Sequence, residues 1–416
     1  MNGGAYGPTD IGGTGKAGGS GGGLSGAIKE IFGSAKDADY AMEAAGGAAF
    51  DGGLHDYAAP SSAVSGDGYG DTGSPSNSIQ PQAGLLTGGE WNDNDHWTDW
   101  QELYNSREDW QSFRSVWKNK ADYRITVKVT SNGKPLEGAV VTCDNCINTA
   151  VSDNNGIAYL FYSKDKEPNP SIKVTCGNKE VEILADRDGS LGNSTFEAEL
   201  GSAKSPINKK LDLMIMCDTT GSMSDELEYL KVELEDIVNK IQAENSNIPT
   251  RVSVNFYRDE GDEYVVRQFP FSDNIDSVVK AIRDQEAMGG GDFPEAVHTA
   301  LDSAINKHDW DEDAVKIMFL VLDAPPHEDA QIIDSVNKYI AKAAEMGIRI
   351  VPVASSGIDK STEYLLRTMA FTTGGTYTFL TDDSGVGGEH IEATVGAYNV
   401  ERLNDMMVRI VRSYLD

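Results

Sequence analysis

Three segments of the 416-residue sequence place oxygen-bearing side chains at or near the ends of apolar runs of strand length. Residues 218–224 (Asp-Thr-Thr-Gly-Ser-Met-Ser) follow the run 211–217, Asp323 follows the run 314–322, and residues 289–295 (Gly-Gly-Gly-Asp-Phe-Pro-Glu) lie between them. In open α/β sheets, ligands bind at the carboxyl ends of the strands. Carboxylate and hydroxyl oxygens are donors that suit Mg²⁺. These residue types therefore favour cation binding at one edge of a sheet.

The elements that must position these residues alternate between strands and helices. Apolar runs predict strands over 211–217, 251–257, 264–269, 314–322 and 348–354, and apolar residues at helical spacing predict helices over 227–241, 297–305, 332–340 and 403–415. This alternation predicts an α/β fold with a doubly wound sheet and helices on both faces. Because the strand runs are continuously apolar, we expect the sheet to be mostly parallel and buried on both sides.

The constellation resembles the von Willebrand factor A (vWA) domain and its metal-ion-dependent adhesion site. The first motif of that family, Asp-x-Ser/Thr-x-Ser, is matched by Asp218, Thr220 and Ser222. The family's Asp at the tip of the fourth strand is matched by Asp323. The resemblance covers about half of the chain, residues 207–416, and it implies a Rossmann-like fold for the domain that we place at 210–416.

The middle motif departs from the family pattern, because Gly291 stands where a Thr is usual and Asp292 follows it directly. The resemblance implies a site for Mg²⁺, or for Mn²⁺ or Ca²⁺, with five ligand residues: Asp218, Thr220, Ser222, Asp292 and Asp323. If few carboxylates touch the ion directly, it keeps an open position that the Asp or Glu of a protein partner can fill. The implied function is adhesion through a shared metal.

Each of these residues also has an interpretation without a metal. Asp218 and Ser222 are residue types common at helix N-caps, and Asp323 is alternatively a buried hydrogen-bonding residue. Asp292 either binds the metal or caps a helix that starts at Phe293. Three neighbouring features are interpreted as structural: Glu295 as a partner of a helix dipole, His327 as a cap of the next helix, and the residues Arg258, Asp259 and Asp262 as a solvated turn.

The charge balance restricts the partners of the protein. There are 35 Lys and Arg against 66 Asp and Glu, a formal net charge of −31. Such a surface repels nucleic acid and anionic lipid, so neither is an expected partner. No apolar run is long enough to span a membrane, and no signal peptide is visible. We expect an extracytoplasmic or cell-surface protein whose signal has been removed, with a cytoplasmic location as the alternative.

The first 120 residues divide into two segments of different composition. Residues 1–90 hold 24 of the 44 glycines, which predicts a flexible tether. Residues 91–120 hold five of the six tryptophans. Indoles at this density are seldom exposed, so we expect an ordered clasp that packs on a neighbouring domain; a ligand surface is the alternative.

Residues 121–200 contain short alternating runs separated by turn signals such as Asn132-Gly133, which predicts a small β-sandwich. The segments 134–140 and 152–158 resemble the carboxypeptidase-regulatory or prealbumin-like sandwich. A polar linker follows at 201–209. The four cysteines (Cys143, Cys146, Cys176 and Cys217) allow several pairings, and the sequence selects none of them.

The favoured function is therefore divalent-metal-dependent binding of a protein ligand. The alternative is an intracellular scaffold or an accessory subunit of an ATPase or chelatase assembly. An enzyme is less favoured, because the sequence has neither a Gly-x-Ser-x-Gly elbow nor a His-Glu-x-x-His zinc helix. A bound Mg²⁺ that activates water would make a metal-assisted hydrolase the third interpretation.

Overall fold

The computed structural model describes residues 7–12, 80–166, 171–184, 193–244 and 247–416, and all of them fall within one compact unit. Most of the predicted tether lies outside the described residues. No helix within the described part of the chain has the length and apolar character needed to cross a lipid bilayer.

The described residues form the following strands: β1 (Thr9–Ile11), β2 (Thr87–Trp91), β3 (Tyr123–Ser131), β4 (Lys134–Pro135), β5 (Val140–Cys143), β6 (Ala150–Val151), β7 (Ile157–Tyr162), β8 (Ser171–Cys176), β9 (Lys179–Leu184), β10 (Asn193–Glu199), β11 (Leu211–Asp218), β12 (Thr250–Tyr257), β13 (Val266–Gln268), β14 (Val315–Leu322), β15 (Ile348–Ala354), β16 (Tyr377–Leu380) and β17 (Glu401–Arg402). Their α-helices are α1 (Trp97–Ser106), α2 (Glu108–Val116), α3 (Leu227–Glu244), α4 (Ile275–Arg283), α5 (Val297–Asn306), α6 (Ala330–Met346), α7 (Lys360–Thr373) and α8 (Leu403–Leu415). Short 3-10 helices cover Gly221–Asp225 and Asp382–Ser384.

The largest sheet has the strand order β1-β13-β12-β11-β14-β15-β16-β2-β17. Five neighbouring strands, β12-β11-β14-β15-β16, are parallel, and the strands next to them on either side, β13 and β2, are antiparallel. β11 lies between β12 and β14, and all eight of its residues are buried. The α/β fold with a mostly parallel core is therefore confirmed.

Alternate residues of the central strands enter two separate cores, because successive side chains of a strand point to opposite faces. Leu213 and Ile215 pack with α3, α4 and α8 on one face. Met214 and Met216 pack with α5, α6 and α7 on the other. The sheet is thus covered on both sides, and the chemistry that it positions must lie at a strand end.

The largest sheet includes residues that precede position 90, where the predicted flexible tether ends. β2 pairs with both β16 and β17, and β1 pairs with β13 at the opposite edge. The glycines of β2 permit close packing: a Cβ on Gly88 would lie 2.8 Å from the carbonyl oxygen of Phe379, and one on Gly89 would lie 2.6 Å from the Phe379 ring. The glycines of this segment, which predicted flexibility, instead allow β2 to pack closely against Phe379.

The tryptophan-rich segment forms α1 and α2, which lie against α7 of the α/β domain. Trp97, Trp100, Trp110 and Trp117 are each at most 3 % exposed. The Trp100 ring lies 4.9 Å from the Phe371 ring of α7. Within this interface the guanidinium of Arg367, which is 0 % exposed, donates to both carboxylate oxygens of Asp93.

Residues 121–200 form two four-stranded sheets, one with β10, β3, β4 and β7 and the other with the order β6-β5-β8-β9. Their inner faces share one apolar core that includes Ile125, Val141 and Val174. Cys143 and Cys146 form a disulfide, whereas Cys176 and Cys217 are buried free thiols. The segment 201–209 contacts the α/β domain, since the amide of Asn208 donates to the Asp313 carbonyl.

Candidate functional site

The loop after β11 is held by its own side chains. Asp218 is fully buried, and its Oδ1 accepts hydrogen bonds from the amide (2.8 Å) and the hydroxyl (2.6 Å) of Thr220. The Thr220 hydroxyl also lies 3.1 Å from the hydroxyl of Ser222, which is exposed. A continuous polar chain therefore connects the buried carboxylate of Asp218 to the surface.

The glycine-rich segment packs against this loop through its backbone. The Gly221 amide donates to the Gly289 carbonyl, and the Met288 amide donates to the Thr219 carbonyl. Gly289 and Gly290 have φ of +83° and +73°, which favours glycine. A Cβ on Gly289 would lie 2.3 Å from Asp262 Oδ2, and one on Gly290 would lie 2.9 Å from Glu295 Oε1, so both positions also lack space for a side chain.

Asp323 follows β14 at the same end of the sheet as Asp218, because the two parallel strands are neighbours. It is 4 % exposed. The next residues are tied to the glycine-rich segment, since the Glu295 amide donates to the Pro325 carbonyl. The structure thus brings the first and third motifs together, as parallel pairing requires.

A pocket of about 180 Å³ opens at this strand end. Its lining comprises Ser222, Gly289, Gly290, Gly291, Asp292, Phe293, Glu295, Asp323, Ala324 and Gly357. Asp218 and Thr220 are not part of the lining; they contact it through the Ser222 hydroxyl. The site therefore has one buried carboxylate behind the pocket and others in its wall.

Three carboxylates of the site each have one oxygen without a hydrogen-bond partner among the residues that the structure describes. Oδ2 of Asp218, Oδ1 of Asp323 and Oε2 of Glu295 are buried and make no hydrogen bond within the described residues. Burial raises the pKa of Asp218 to about 6, and burial together with the charge of Asp218 raises the pKa of Asp323 to about 7. Burial, followed by the charges of Asp218, Asp259 and Asp323, raises the pKa of Glu295 to about 9. In the protein alone, burial and mutual repulsion therefore oppose the ionisation of these carboxyl groups.

The donor set fits a hard cation. Unpaired carboxylate oxygens and neutral hydroxyls are the ligands that Mg²⁺ takes, usually together with water. The described residues contain no cluster of three or more His, Cys, Asp or Glu side chains with the arrangement of a metal site. A cation here would accordingly depend on the hydroxyls of Ser222 and Thr220 as well as on the carboxylates.

Asp292 is exposed at the rim of the pocket. The interpretation of Asp292 as the cap of a helix starting at Phe293 is wrong, because α5 begins at Val297. Glu295 is likewise not a first-turn residue: it precedes α5, is 2 % exposed and lines the pocket. No local pattern indicated this burial, since Glu after Pro is typical of an exposed first helical turn.

Of the residues predicted to form a solvated turn, Arg258 and Asp259 are buried and Asp262 is partly exposed, and they support the site. Arg258 is 5 % exposed and donates to the carbonyls of Thr219 (3.2 Å) and Glu286 (2.8 Å), which joins the two loops. Asp262 accepts a hydrogen bond of 2.8 Å from the Gly290 amide. His327 does not cap α6, because the N-cap of α6 is Asp329. The Nε2 atom of His327 instead lies 2.9 Å from Asp259 Oδ1.

Comparisons with known proteins agree with this geometry at the level of the domain. Residues 212–394 match the family model described as von Willebrand factor A domain. An ariadne-like RING finger protein of Acanthamoeba polyphaga mimivirus is 33 % identical over 133 residues, which are 31 % of this chain and 12 % of that protein. An alpha-protein kinase of Dictyostelium discoideum is 21 % identical over 180 residues, or 43 % of this chain and 28 % of that one. The chain thus spans only a small part of these relatives.

Solved structures similar to the chain include the BatB protein of Bacteroides thetaiotaomicron, with 14 % identity and a TM-score of 0.35 over 49 % of this chain and 98 % of that one. An aerotolerance-related membrane protein of Bacteroides fragilis matches with 13 % identity and a TM-score of 0.33 over the same shares. The family match covers β11 through α7, β16 and the loop after it, and it includes every motif residue named above. Residues 212–394 are therefore a domain of the von Willebrand factor A type.

Proposed function

We propose that the end of the sheet at Asp218 and Asp323 binds a divalent cation and, through it, a carboxylate of a protein partner. The observation that carries this proposal is the set of buried carboxylate oxygens without hydrogen-bond partners around a pocket lined by the Ser222 hydroxyl. Leaving such oxygens uncompensated is costly. A bound cation offsets the free energy lost by burying these oxygens, which accounts for the clustering of the residues.

The roles of the residues follow from their positions. Asp218 and Asp323 supply negative charge, and Thr220 and Ser222 supply neutral oxygens. Asp292 contributes from the rim, directly or through water. When bound, Mg²⁺, Mn²⁺ or Ca²⁺ would supply a positive centre with an open coordination position. The partner must offer an exposed Asp or Glu, because a protein of net charge −31 otherwise repels acidic surfaces.

The proposal is a binding function and not a catalytic one. Within the described residues no histidine lines the pocket, and His327 is paired with Asp259. A metal-assisted hydrolase would need a base to activate water, so this candidate is not favoured. An extracytoplasmic location is supported by the Cys143–Cys146 disulfide, since disulfides persist mainly in oxidising compartments. A scaffold role in the cytoplasm is the competing proposal.

The test is calorimetric titration of Mg²⁺ and Mn²⁺ into the full chain, with wild type beside Asp218→Ala. We expect wild type to bind and the variant not to bind. Asp276→Asn is a matched control, because Asp276 is exposed on α4, away from the site. Equal binding by Asp218→Ala and wild type would refute the assignment. If wild type binds the metal and Asp218→Ala does not, a partner protein captured in Mg²⁺ but not in the presence of a chelator is the ligand.

A further inference from the structure

The rim of the site exposes apolar side chains. Five large hydrophobic residues are exposed within the described part of the chain: Leu184 (77 %), Met288 (55 %), Phe293 (45 %), Tyr398 (38 %) and Val400 (45 %). Single exposed hydrophobic residues are ordinary. Met288 and Phe293, however, lie on the same short loop, and Phe293 lines the pocket together with Ser222 and Asp323.

This loop is fixed at both ends, so the exposure of its apolar residues does not come from a loose segment. The Met288 amide donates to the Thr219 carbonyl, and the Glu295 amide donates to the Pro325 carbonyl. Between them, the Gly290 amide is held by Asp262. Phe293 therefore lies in the pocket wall on a loop held by hydrogen bonds, and Met288 directly precedes Gly289 of the same wall. Such a fixed loop loses less entropy when a ligand covers these side chains.

From this arrangement we infer that the site recognises an Asp or Glu that has a large apolar residue next to it, and that Met288 and Phe293 determine this specificity. The inference rests on the proposed metal function. The cation takes the ligand's carboxylate, and the adjacent apolar side chain covers Phe293 and Met288. A peptide that turns at the acidic residue fits this arrangement, because consecutive Cα atoms are only about 3.8 Å apart and a turn lets both side chains face the same surface.

The net charge of the protein favours a peptide over a lipid surface as the ligand that covers Met288 and Phe293. The chain has a net charge of −31, which opposes contact with anionic membranes. Two exposed side chains on one loop are also less than the apolar face of a membrane-bound helix. The carboxylates of the pocket repel an acidic peptide unless the cation is bound, so recognition of the apolar neighbour depends on the metal.

The experiment uses three fluorescein-labelled peptides and the full chain loaded with Mn²⁺. The first is acetyl-Gly-Gly-Asp-Gly-Gly-amide, the second replaces the Gly on either side of Asp by Leu, and the third keeps these Leu residues but has Asn for Asp. Fluorescence anisotropy gives each affinity. For wild type we expect the Leu-flanked acidic peptide to bind roughly tenfold more tightly than the Gly-flanked one, because burial of a side chain of this size supplies about that factor. The Asn peptide and all peptides in EDTA should not bind.

The double variant Met288→Ser/Phe293→Ser should reduce the tenfold preference to about one, and Phe293→Leu should retain most of it. Leu184→Ser is the matched control, because it removes an exposed apolar side chain of β9, a strand of the β-sandwich outside the site. Titration of Mn²⁺ into every variant reports whether the metal site is intact. A preference that survives in the double variant, or is absent from a wild type that binds Mn²⁺, overturns the inference. Absence of Mn²⁺ binding by wild type overturns the proposed function itself.

Discussion

Replacing Asp218 by Asn should stabilise the protein without metal and remove its response to Mg²⁺. Asp218 is fully buried, its Oδ2 has no hydrogen bond, and burial raises its pKa to about 6 from an ordinary value of 3.8. At neutral pH that difference corresponds to about 3 kcal/mol of unfavourable ionisation. Asn retains an oxygen that can accept the two bonds from Thr220, but it adds a buried amide that costs about 1–2 kcal/mol if unpaired.

The expected net gain in the free energy of unfolding without metal is therefore about 1–2 kcal/mol. With Mg²⁺ at about 100 times its dissociation constant, wild type should gain about 2.7 kcal/mol, and the variant should gain almost nothing. The order of stability of the two proteins thus reverses when the metal is added. Asp218 is chosen because it lies behind the pocket, so its replacement leaves the lining residues in place.

The assay is urea denaturation followed by tryptophan fluorescence, in EDTA and in Mg²⁺, with Asp276→Asn as the control that should behave as wild type in both. Two results would refute the reasoning. If Mg²⁺ stabilises Asp218→Asn as much as wild type, Asp218 is not part of the cation site. If the variant is less stable than wild type in EDTA, the carboxylate is not a source of destabilisation in the metal-free protein.

Three further predictions test other parts of the structure. Gly291→Thr should tighten Mg²⁺ binding measured by calorimetry, because it supplies the hydroxyl that is usual at this position in the family and its Cβ meets nothing within 4 Å. Gly290→Thr is the control and should weaken Mg²⁺ binding, because its Cβ would lie 2.9 Å from Glu295 Oε1. Asp93→Ala should lower the free energy of unfolding in urea by about 3 kcal/mol, since it removes the carboxylate that accepts two hydrogen bonds from the buried Arg367 and leaves the 3.5 Å contact with Glu363 as the remaining ion pair; the exposed Asp95→Ala should change it little. Burial lowers the pKa of His390, but the carboxylates of Glu226 and Asp382 outweigh this effect and raise it. Its contribution to stability is therefore present below about pH 6.5 and lost as the pH rises through the raised value, so the difference in unfolding free energy between wild type and His390→Gln should shrink from pH 5.5 to pH 8.5.

Local patterns in the sequence determined most of the elements whose two sides differ or whose apolar runs are continuous, although the short helix α4 was not predicted. β11 and β14 were recognisable as buried strands, and α8 was recognisable from its apolar face. The helix α7 was not predicted. Its residues from Thr362 to Thr373 are all buried, between the sheet and the tryptophan-rich helices, so it has no amphipathic periodicity to detect. Whether a helix is covered on one side or on all sides depends on partners that are distant in the chain.

The candidate site shows the same division. Because parallel neighbouring strands end at one edge of a sheet, the sequence alone placed Asp218, Ser222 and Asp323 together. It could not place Glu295 in the pocket wall or Arg258 beneath the loops, since each is buried by contacts between segments that are far apart in sequence. The glycines show the limit most clearly: composition indicated flexibility at Gly88 and Gly89, whereas the tertiary structure packs them against Phe379. A residue type fixes which conformations and contacts are permitted, and the folded neighbours decide which of them is used.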